Sequence, residues 1–168
     1  MTNTADDFLA AIQAALEIRG VRLRSQGTRL RFGRPFGPGY EVEIHSEYQA
    51  ETHAEADWFS VLARYTIKGG VPEEENSNEK LSKDEVDFET SFEYEASFTC
   101  AGLQDLIAKD PKKVEEALMA ISTSTGMLSI HPYARNLLTE TSTRCGLPAI
   151  TLPVLRATYE DDSAKSED

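Results

Sequence analysis

The chain has 168 residues, of which 40% are hydrophobic and 27% charged, and this composition fits one soluble globular domain that buries a core without disulfides or metal. No apolar run approaches the roughly 18 residues that cross a bilayer, and the N-terminus lacks a secretory signal. The two cysteines form neither a disulfide framework nor a CxxC pair, which fits a reducing compartment. We therefore expect a cytoplasmic protein. The net charge of −12 lies in residues 73–95 (ten acids, two lysines) and 160–168 (five acids, one lysine), so the rest of the chain is neutral. This distribution argues against nucleic-acid binding, and the acidic charge suits either a basic partner or solubility alone.

The N-terminal part is predicted to hold one helix and one strand. Apolar residues at near-helical spacing indicate a helix from about residue 6 to residue 19, ended by Gly20. From Val21 to Phe32 the apolar period changes to two, which predicts a strand, and the interruption at 25–27 indicates a bulge or a turn. The glycine- and proline-rich residues 33–39 are typical of a loop.

Three further strands are predicted in the middle of the chain. Alternation of apolar and polar residues indicates strands over residues 40–49, 58–68 and 87–98. Residues 69–85, between the last two strands, are so rich in Glu, Asn, Ser and Lys that we expect a mobile connection.

The C-terminal part is predicted to be helical and then extended. Apolar spacing, together with prolines at helix starts and glycines after helix ends, indicates a short helical turn at 103–108 and helices at 112–122 and 132–145. We expect Gly126 to break the helical region. Pro148 and Pro153 flank an extended apolar stretch at 149–152, and Val154 and Leu155 follow it.

These elements together predict an α+β fold, a four-stranded antiparallel sheet with helices packed on one face. We expect residues 1–159 to form a single domain that begins with the N-terminal helix at about 6–19. Residues 160–168 are predicted to be an acidic disordered tail.

The sequence carries no signature of catalysis or of a cofactor. Its histidines, His45, His53 and His131, match neither HExxH nor the zinc-ligand spacing beside a cysteine. No serine lies in GxSxG, and no glycine run matches a phosphate-binding loop. We interpret Cys100 and Cys145 as small packing residues. The prediction is therefore a protein that is not an enzyme and has no metal or other cofactor.

The first predicted strand is rich in arginine, with six arginines within residues 19–34. One interpretation is a surface for nucleic acid or an acidic partner. The other is ion pairing with Glu41, Glu43 and Glu47 of a neighbouring strand. The second is favoured, because cross-strand charge pairing requires no further assumption.

The predicted sheet also has an acidic face, formed by glutamates that alternate with apolar residues. This face is either a solvated surface that discourages sheet-to-sheet aggregation or a docking surface for a basic partner. Its members are Glu41, Glu43, Glu47, Glu89, Glu93 and Glu95.

A motif near the C-terminus suggests a family. It consists of His131-Pro132-Tyr133-Ala134-Arg135, then Arg144 and Pro148, then Ile150-x-Leu152 followed by Pro153-Val154. These residues resemble the SecB family of export chaperones, which has Phe-Pro-Tyr-Ala-Arg at the start of its long helix and an extended Leu-x-Leu-x-Pro-Val arm after it. The order of four strands upstream extends the resemblance to residues 18–156.

The chain departs from the family pattern at five points. His131 replaces the usual aromatic residue, Cys145-Gly146-Leu147 replaces the family's Gly-x-Phe, and Pro153 comes one residue early. No counterpart of the helix after the arm is predicted, and an extra N-terminal helix is present. This architecture resembles the SecB-like chaperones of toxin–antitoxin modules, which protect an aggregation-prone antitoxin.

The resemblance implies an ATP-independent chaperone that holds unfolded or nascent polypeptides in apolar grooves between the sheet, a helix and the arm. It implies a homo-oligomer, a dimer of dimers, with either a general export role, in which the SecA motor docks on acidic residues of the sheet, or an antitoxin as its one client. Nucleic acid and membrane insertion are not expected. The groove residues implied here are Leu147, Pro148, Ile150, Leu152, Val154 and Leu155.

Two questions stay open at this point. For Ile150 and Leu152, lining a groove and closing the core are equally favoured, since apolar side chains serve both. The leading functional hypothesis is a holdase for export or for an antitoxin. The alternative is a non-enzymatic adaptor domain that binds one folded basic partner through the acidic face, with a strong salt dependence.

Overall fold

The computed structural model describes residues 5–31, 39–53, 56–72, 81 and 84–155. Residues 33–38 of the predicted loop, residues 73–80 and 82–83 of the predicted mobile connection, and the predicted tail at 160–168 lie outside the described residues. The elements are helix α1 (Ala5–Ala14), strands β1 (Leu16–Leu30), β2 (Glu41–Thr52), β3 (Trp58–Gly70) and β4 (Val86–Cys100), helices α2 (Leu103–Lys109) and α3 (Pro111–Ile121), a π-helical turn (Ser122–Gly126) and helix α4 (Met127–Arg144).

The four strands form one antiparallel sheet in the order β1-β4-β3-β2. This arrangement confirms the predicted α+β fold with a four-stranded antiparallel sheet. The first strand pairs with the last strand, so β1 and β2 lie at opposite edges. Among the described residues, no further strand pairs with either outer edge.

One face of the sheet is covered by the helices and holds the core. Alternate residues of β3 and β4 point to this face and are fully buried, among them Phe59, Tyr65, Phe92 and Phe98. The register stacks Phe59 on Phe98, with ring centroids 5.4 Å apart, and Tyr65 on Phe92 at 5.3 Å. Burying each such side chain contributes about 1.5–3 kcal/mol, so this face holds the helices in place.

Helix α1 is shorter than the sequence pattern predicts. It ends at Ala14, and residues 16–19, predicted as helix, belong to strand β1. Leu16 already pairs with Cys100 of β4. A β-bulge just before Gly20 shifts the alternation by one residue, so the apolar residues on either side of it fit a helical spacing as well as a strand. Pairing with β4 supplies main-chain hydrogen bonds along the whole segment and decides in favour of the strand.

The predicted break at Gly126 and the predicted helix start at Pro132 are both wrong. Helix α3 continues through the π-helical turn into α4, and Pro132 lies inside α4. Gly126 is needed for close packing, because a Cβ there would lie 2.7 Å from Cγ1 of Val61. A proline within a helix costs about 3 kcal/mol. Burial of Ile130 and Leu138 on either side of Pro132 offsets that cost.

The chain reverses direction after helix α4. Gly146 has a φ of 75°, in the left-handed region that glycine adopts without strain. Next to it, the N–H of Leu147 donates to the carbonyl of Ser142 at 3.0 Å. This left-handed glycine cap ends the helix and directs the following residues back along it.

Candidate functional site

An extended arm, residues 148–155, runs back along helix α4. The N–H of Ile150 donates to Oγ of Ser142 at 3.0 Å. Further along the arm, Nε2 of His131 lies 2.7 Å from the carbonyl oxygen of Pro153, and because a carbonyl only accepts, Nε2 is the donor. Ile150 thus contacts Ser142 near the end of α4, whereas Pro153, later in the arm, contacts His131 near the start of α4. The arm therefore runs antiparallel to α4.

Two of the six predicted groove residues are buried in the core. Ile150 is 8% exposed and Leu152 is 1% exposed, and both pack within the main hydrophobic cluster. Of the two interpretations of these residues, their burial supports the one in which they close the core.

The other four predicted groove residues differ in exposure. Leu147 is half-buried and packs against the core, and Leu155 is half-buried. Pro148 is exposed, and Val154 is 65% exposed. The arm thus presents its free apolar surface at its far end, around Val154.

A second exposed apolar side chain lies at the same end of helix α4. Leu128, in the first turn of the helix, is 50% exposed. It precedes His131 by three residues and so shares that side of the helix. His131 in turn binds the carbonyl of Pro153, directly before Val154. We call the three residues Leu128, Val154 and Leu155 the arm-end patch.

The six predicted acidic residues lie on the face of the sheet opposite the helices, as their alternation predicts. Those on β4 are engaged by arginines of the two neighbouring strands. The shortest contacts are Arg22–Glu95 at 2.6 Å, Arg29–Glu89 at 2.7 Å and Arg64–Glu93 at 2.9 Å.

The arginines of the first strand were predicted to pair with Glu41, Glu43 and Glu47, and this is wrong. Those glutamates lie on β2, and the strand order places β2 at the far edge from β1. Glu43 instead accepts a hydrogen bond from the N–H of Leu81, and Glu47 lies 3.1 Å from Nε2 of His45. Ion pairing of the arginine-rich strand is therefore found, but with a different partner strand.

Glu95 is the buried member of the acidic face, with 4% exposure. Burial by itself would raise the pKa of its carboxyl. Hydrogen bonds from Ser60 Oγ at 2.7 Å and from Arg22, together with the charges of Arg22 and Arg24, outweigh burial, and the pKa of Glu95 lies below its ordinary value. Both oxygens of this carboxylate are thus engaged within the sheet.

A cleft of about 620 Å³ follows the outer edge of strand β2. Its lining includes Tyr48 and Ala50, which point to the helix-covered face, and Glu47 and Gln49, which point to the opposite face. Successive residues of a strand point to opposite sides, so a cleft lined by both sets wraps around the strand edge. Helix α3 forms the opposite wall, with Met119 at its rim. No residue of the arm lines this β2 cleft.

Comparison with known proteins identifies the fold. No family model matches the sequence, and no curated protein matches it either. A solved structure is similar: the Mycobacterium tuberculosis Rv1957 SecB-like chaperone in complex with a ChAD peptide from the Rv1956 HigA1 antitoxin, with a TM-score of 0.72 and 22% identity, over 90% of this chain and 99% of that chain. This chain has the SecB-like fold. The resemblance predicted from residues 131–154 is thereby confirmed at the level of the fold.

The described part of this SecB-like fold contains no group of three or more His, Cys, Asp or Glu side chains that could hold a metal ion. Cys100 is buried, and burial, followed by the charge of Asp57, raises the pKa of its thiol. A raised thiol pKa fits a packing residue. No described helix is both long enough and apolar enough to span a bilayer.

The β2 cleft is the part of this SecB-like fold that the sequence pattern missed. Tyr48 was expected on the apolar face of the predicted strand at 40–49, but local alternation does not show that this strand lies at an edge of the sheet. On α3, the buried residues include Val114, Leu118 and Ile121. Met119 is an apolar residue outside that stripe, and this position is the signal that the sequence offers for an apolar wall facing outward. In the structure Met119 is 48% exposed.

Proposed function

We propose that this chain is an ATP-independent chaperone that holds unfolded polypeptide. The observation that carries the proposal is a SecB-like fold with an exposed arm-end patch, in which Val154 is 65% and Leu128 is 50% exposed. Clustered apolar side chains on a surface favour contact with another apolar chain. Because apolar contact is not directional, such a surface accepts many sequences.

Strand β2 adds further apolar surface on the same side of the sheet as the arm. Ile44 pairs with Ile67, which is fully buried, yet Ile44 itself is 40% exposed. Val42, two residues earlier on the same face, is 37% exposed. Apolar surface at several places on one side of the sheet suits an extended polypeptide better than a small molecule.

For the client, we propose a short apolar segment of an antitoxin. Support comes from the SecB-like chaperone of similar fold, which was solved with an antitoxin peptide. General export with docking of SecA is the second route. The carboxylates of Glu89, Glu93 and Glu95 already form ion pairs with arginines of the same sheet. These pairs argue against docking of SecA on this face, and for the same reason they argue against the adaptor alternative. Co-purification of one dominant small protein supports the antitoxin, and many unrelated chains support export.

We also propose a homo-oligomer, arranged as a dimer of dimers. Ile18 and Leu23 lie on the edge strand β1 and are 54% and 42% exposed. An edge strand with exposed apolar side chains is suited to pairing with another copy. Sedimentation velocity tests this: Ile18→Asp and Leu23→Asp are expected to lower the mass of the assembly, and an unchanged mass contradicts pairing through β1.

Light scattering by a chemically unfolded test protein, diluted into buffer without ATP, tests the chaperone proposal. The wild type is expected to suppress aggregation at near-stoichiometric ratios. Val154→Asp and Leu128→Asp each place a charge in the arm-end patch and are expected to weaken the suppression. Asn136→Asp, at an exposed position of α4 outside the patch, is the matched control and is expected to act like the wild type.

Two outcomes would contradict parts of this proposal. If the wild type does not suppress aggregation even at a large molar excess, the chain is not a general holdase. If it suppresses aggregation and both patch variants do so equally well, the arm-end patch is not where the client binds.

A further inference from the structure

We infer that three glutamates of strand β4, Glu89, Glu93 and Glu95, neutralise arginines of the edge strand β1 and thereby allow β1 to pair with a second copy of the chain. This inference rests on the proposed homo-oligomer and assigns to it the charges that control its assembly. Three observations carry it: the charge of β1, the direction in which its arginines point, and the apolar side chains on its other face.

Strand β1 carries a net positive charge at the edge where a second copy would pair. Its residues include four arginines and one acid, Glu17, which leaves a net charge of +3. Two copies that pair through β1 about a two-fold axis place the same strand, antiparallel, on both sides of the interface. Like charges that lie opposite each other on paired strands are destabilising, so arginines without partners would oppose this pairing.

The arginine side chains of β1 point away from its free edge. Nη2 of Arg22 lies 2.6 Å from Oε2 of Glu95, and Nη2 of Arg29 lies 2.7 Å from Oε2 of Glu89. Both carboxylates belong to β4, which lies on the inner side of β1. These contacts hold the guanidinium groups over the sheet and away from the open edge, where a second copy would otherwise meet their charge.

The other two contacts show that the counter-charges are fixed within the sheet. Nε of Arg24 lies 3.7 Å from Oε2 of Glu95 and 3.9 Å from Oε1 of Glu93. Glu95 also accepts a hydrogen bond from Ser60, and Glu93 also pairs with Arg64 of β3. Because strand β3 holds these carboxylates from the other side, the arginines of β1 are drawn inwards to them.

The helix-side face of β1 suits the same occupant. Ile18 and Leu23 lie on that face, opposite Phe98 and Tyr94 of β4, and are 54% and 42% exposed. A second copy that extends the sheet would cover them with apolar side chains of its own β1. A chain of acidic sequence would gain little here, because the arginines that would attract it already have partners. A second copy therefore suits both faces of the strand.

Removal of a β4 glutamate and removal of a β1 arginine are expected to act differently. Neighbouring strands are about 4.8 Å apart, so Glu89 lies one strand further from a second copy than Arg29 does. In Glu89→Gln, Arg29 keeps its charge at the interface and repels the arginines of the other copy. In Arg29→Gln, the charge that is left without a partner lies on the more distant strand.

Sedimentation velocity over a range of protein concentrations measures this difference, at about 0.01 M salt, where charges act over about 30 Å. We expect Glu89→Gln to raise the dissociation constant for pairing through β1 about tenfold, and Arg29→Gln to change it less than about twofold. The side chain of Glu89 is 32% exposed, so its replacement leaves no buried gap. Glu41→Gln removes an acid from the same face at the far edge of the sheet and is expected to assemble like the wild type.

Salt and a double variant distinguish repulsion from a structural defect. At about 1 M salt the range of the charges falls to about 3 Å, so Glu89→Gln should regain the assembly of the wild type. The double variant Glu89→Gln with Arg29→Gln should assemble like the wild type at low salt, because neither charge is left. A loss in Glu89→Gln that neither salt nor the second replacement restores would overturn the inference.

The wild type separates this inference from the proposed homo-oligomer. A wild type that is monomeric at every concentration contradicts the homo-oligomer, and an acidic peptide that binds it and is lost in Arg29→Gln would show a different occupant of β1. A wild type that assembles, with Glu89→Gln and Glu41→Gln assembling equally well at low salt, contradicts only the role of the β4 glutamates.

Discussion

Nε2 of His131 on helix α4 donates a hydrogen bond of 2.7 Å to the carbonyl oxygen of Pro153 on the arm. The other ring nitrogen, Nδ1, is buried and has no hydrogen-bond partner among the described residues. This histidine stands where the SecB family has an aromatic residue. The far end of the arm, directly before the arm-end patch, is therefore held to helix α4 by a polar contact.

Loss of this hydrogen bond is expected to loosen the end of the arm. His131→Ala should speed amide hydrogen exchange at Ile150, the arm residue whose N–H donates to Oγ of Ser142. It should also lower the free energy of unfolding by about 1–3 kcal/mol, from the lost bond and the space left behind. Asn136→Ala on the exposed side of the same helix is the control. Unchanged exchange along the arm in His131→Ala would contradict the role of this contact.

Replacement of single arm side chains by alanine distinguishes a residue that packs in the core, Leu152, from one on the surface, Val154. Leu152→Ala is expected to lower the free energy of unfolding by about 2–5 kcal/mol, because the side chain is 1% exposed. Val154→Ala, at a position 65% exposed, is expected to change it by less than about 0.5 kcal/mol. Urea unfolding measures both, and similar values for the two variants would mean that the arm does not close the core through Leu152.

Stability towards acid is expected to depend on Glu95. Folding lowers the pKa of this carboxyl, so its contribution to stability is fully present above the unfolded-state pKa of about 4.3 and is lost as the pH falls through the folded-state value. Glu95→Gln should lower the free energy of unfolding at pH 7 by about 1–3 kcal/mol, and its difference from the wild type should shrink in acid. Glu41→Gln, at an exposed position, is the control. A difference that stays constant down to acid pH would exclude this linkage.

The close contact between Gly126 of the π-helical turn and Val61 of the sheet can be tested with two single variants and the double variant. In Gly126→Ala the new Cβ would lie 2.7 Å from Cγ1 of Val61, and the variant is expected to lose about 1–3 kcal/mol of unfolding free energy. Val61→Ala removes that atom, so the glycine replacement should cost less in the Val61→Ala background. A double-mutant cycle measured by thermal unfolding gives the coupling, and additive losses would show that the two positions do not compete for space.

The strands of the sheet could be predicted from the sequence because each has one buried face. Alternation located β2, β3 and β4 to within a few residues of their observed ends. The start of β1 could not be located in this way, because Leu16 and the residues after it fit a helical spacing until the bulge before Gly20 is taken into account. Gly126 and Pro132 are local signals for a helix break, but Gly126 packs closely against Val61 of β3, and this tertiary contact cannot be seen from local sequence.

The candidate site was harder to predict than the fold because it depends on which strands are neighbours. The arginines of β1 were expected to find glutamates on an adjacent strand, but only the order β1-β4-β3-β2 shows that those glutamates are on β4. The same order makes β2 an edge strand and so creates the β2 cleft. For the arm, composition could not separate Leu152 in the core from Val154 on the surface, since both are apolar residues of one extended segment.

A holdase recognises polypeptide in its unfolded state. The most direct test is fluorescence anisotropy with a reduced and carboxymethylated test protein, which stays unfolded, and with the native disulfide-bonded form of the same protein, both without ATP. We expect the unfolded form to bind and the native form not to bind, with only a modest effect of salt, because apolar contacts dominate. Equal binding of both forms, abolished by salt, would contradict the chaperone account and would favour an adaptor that binds a folded basic partner.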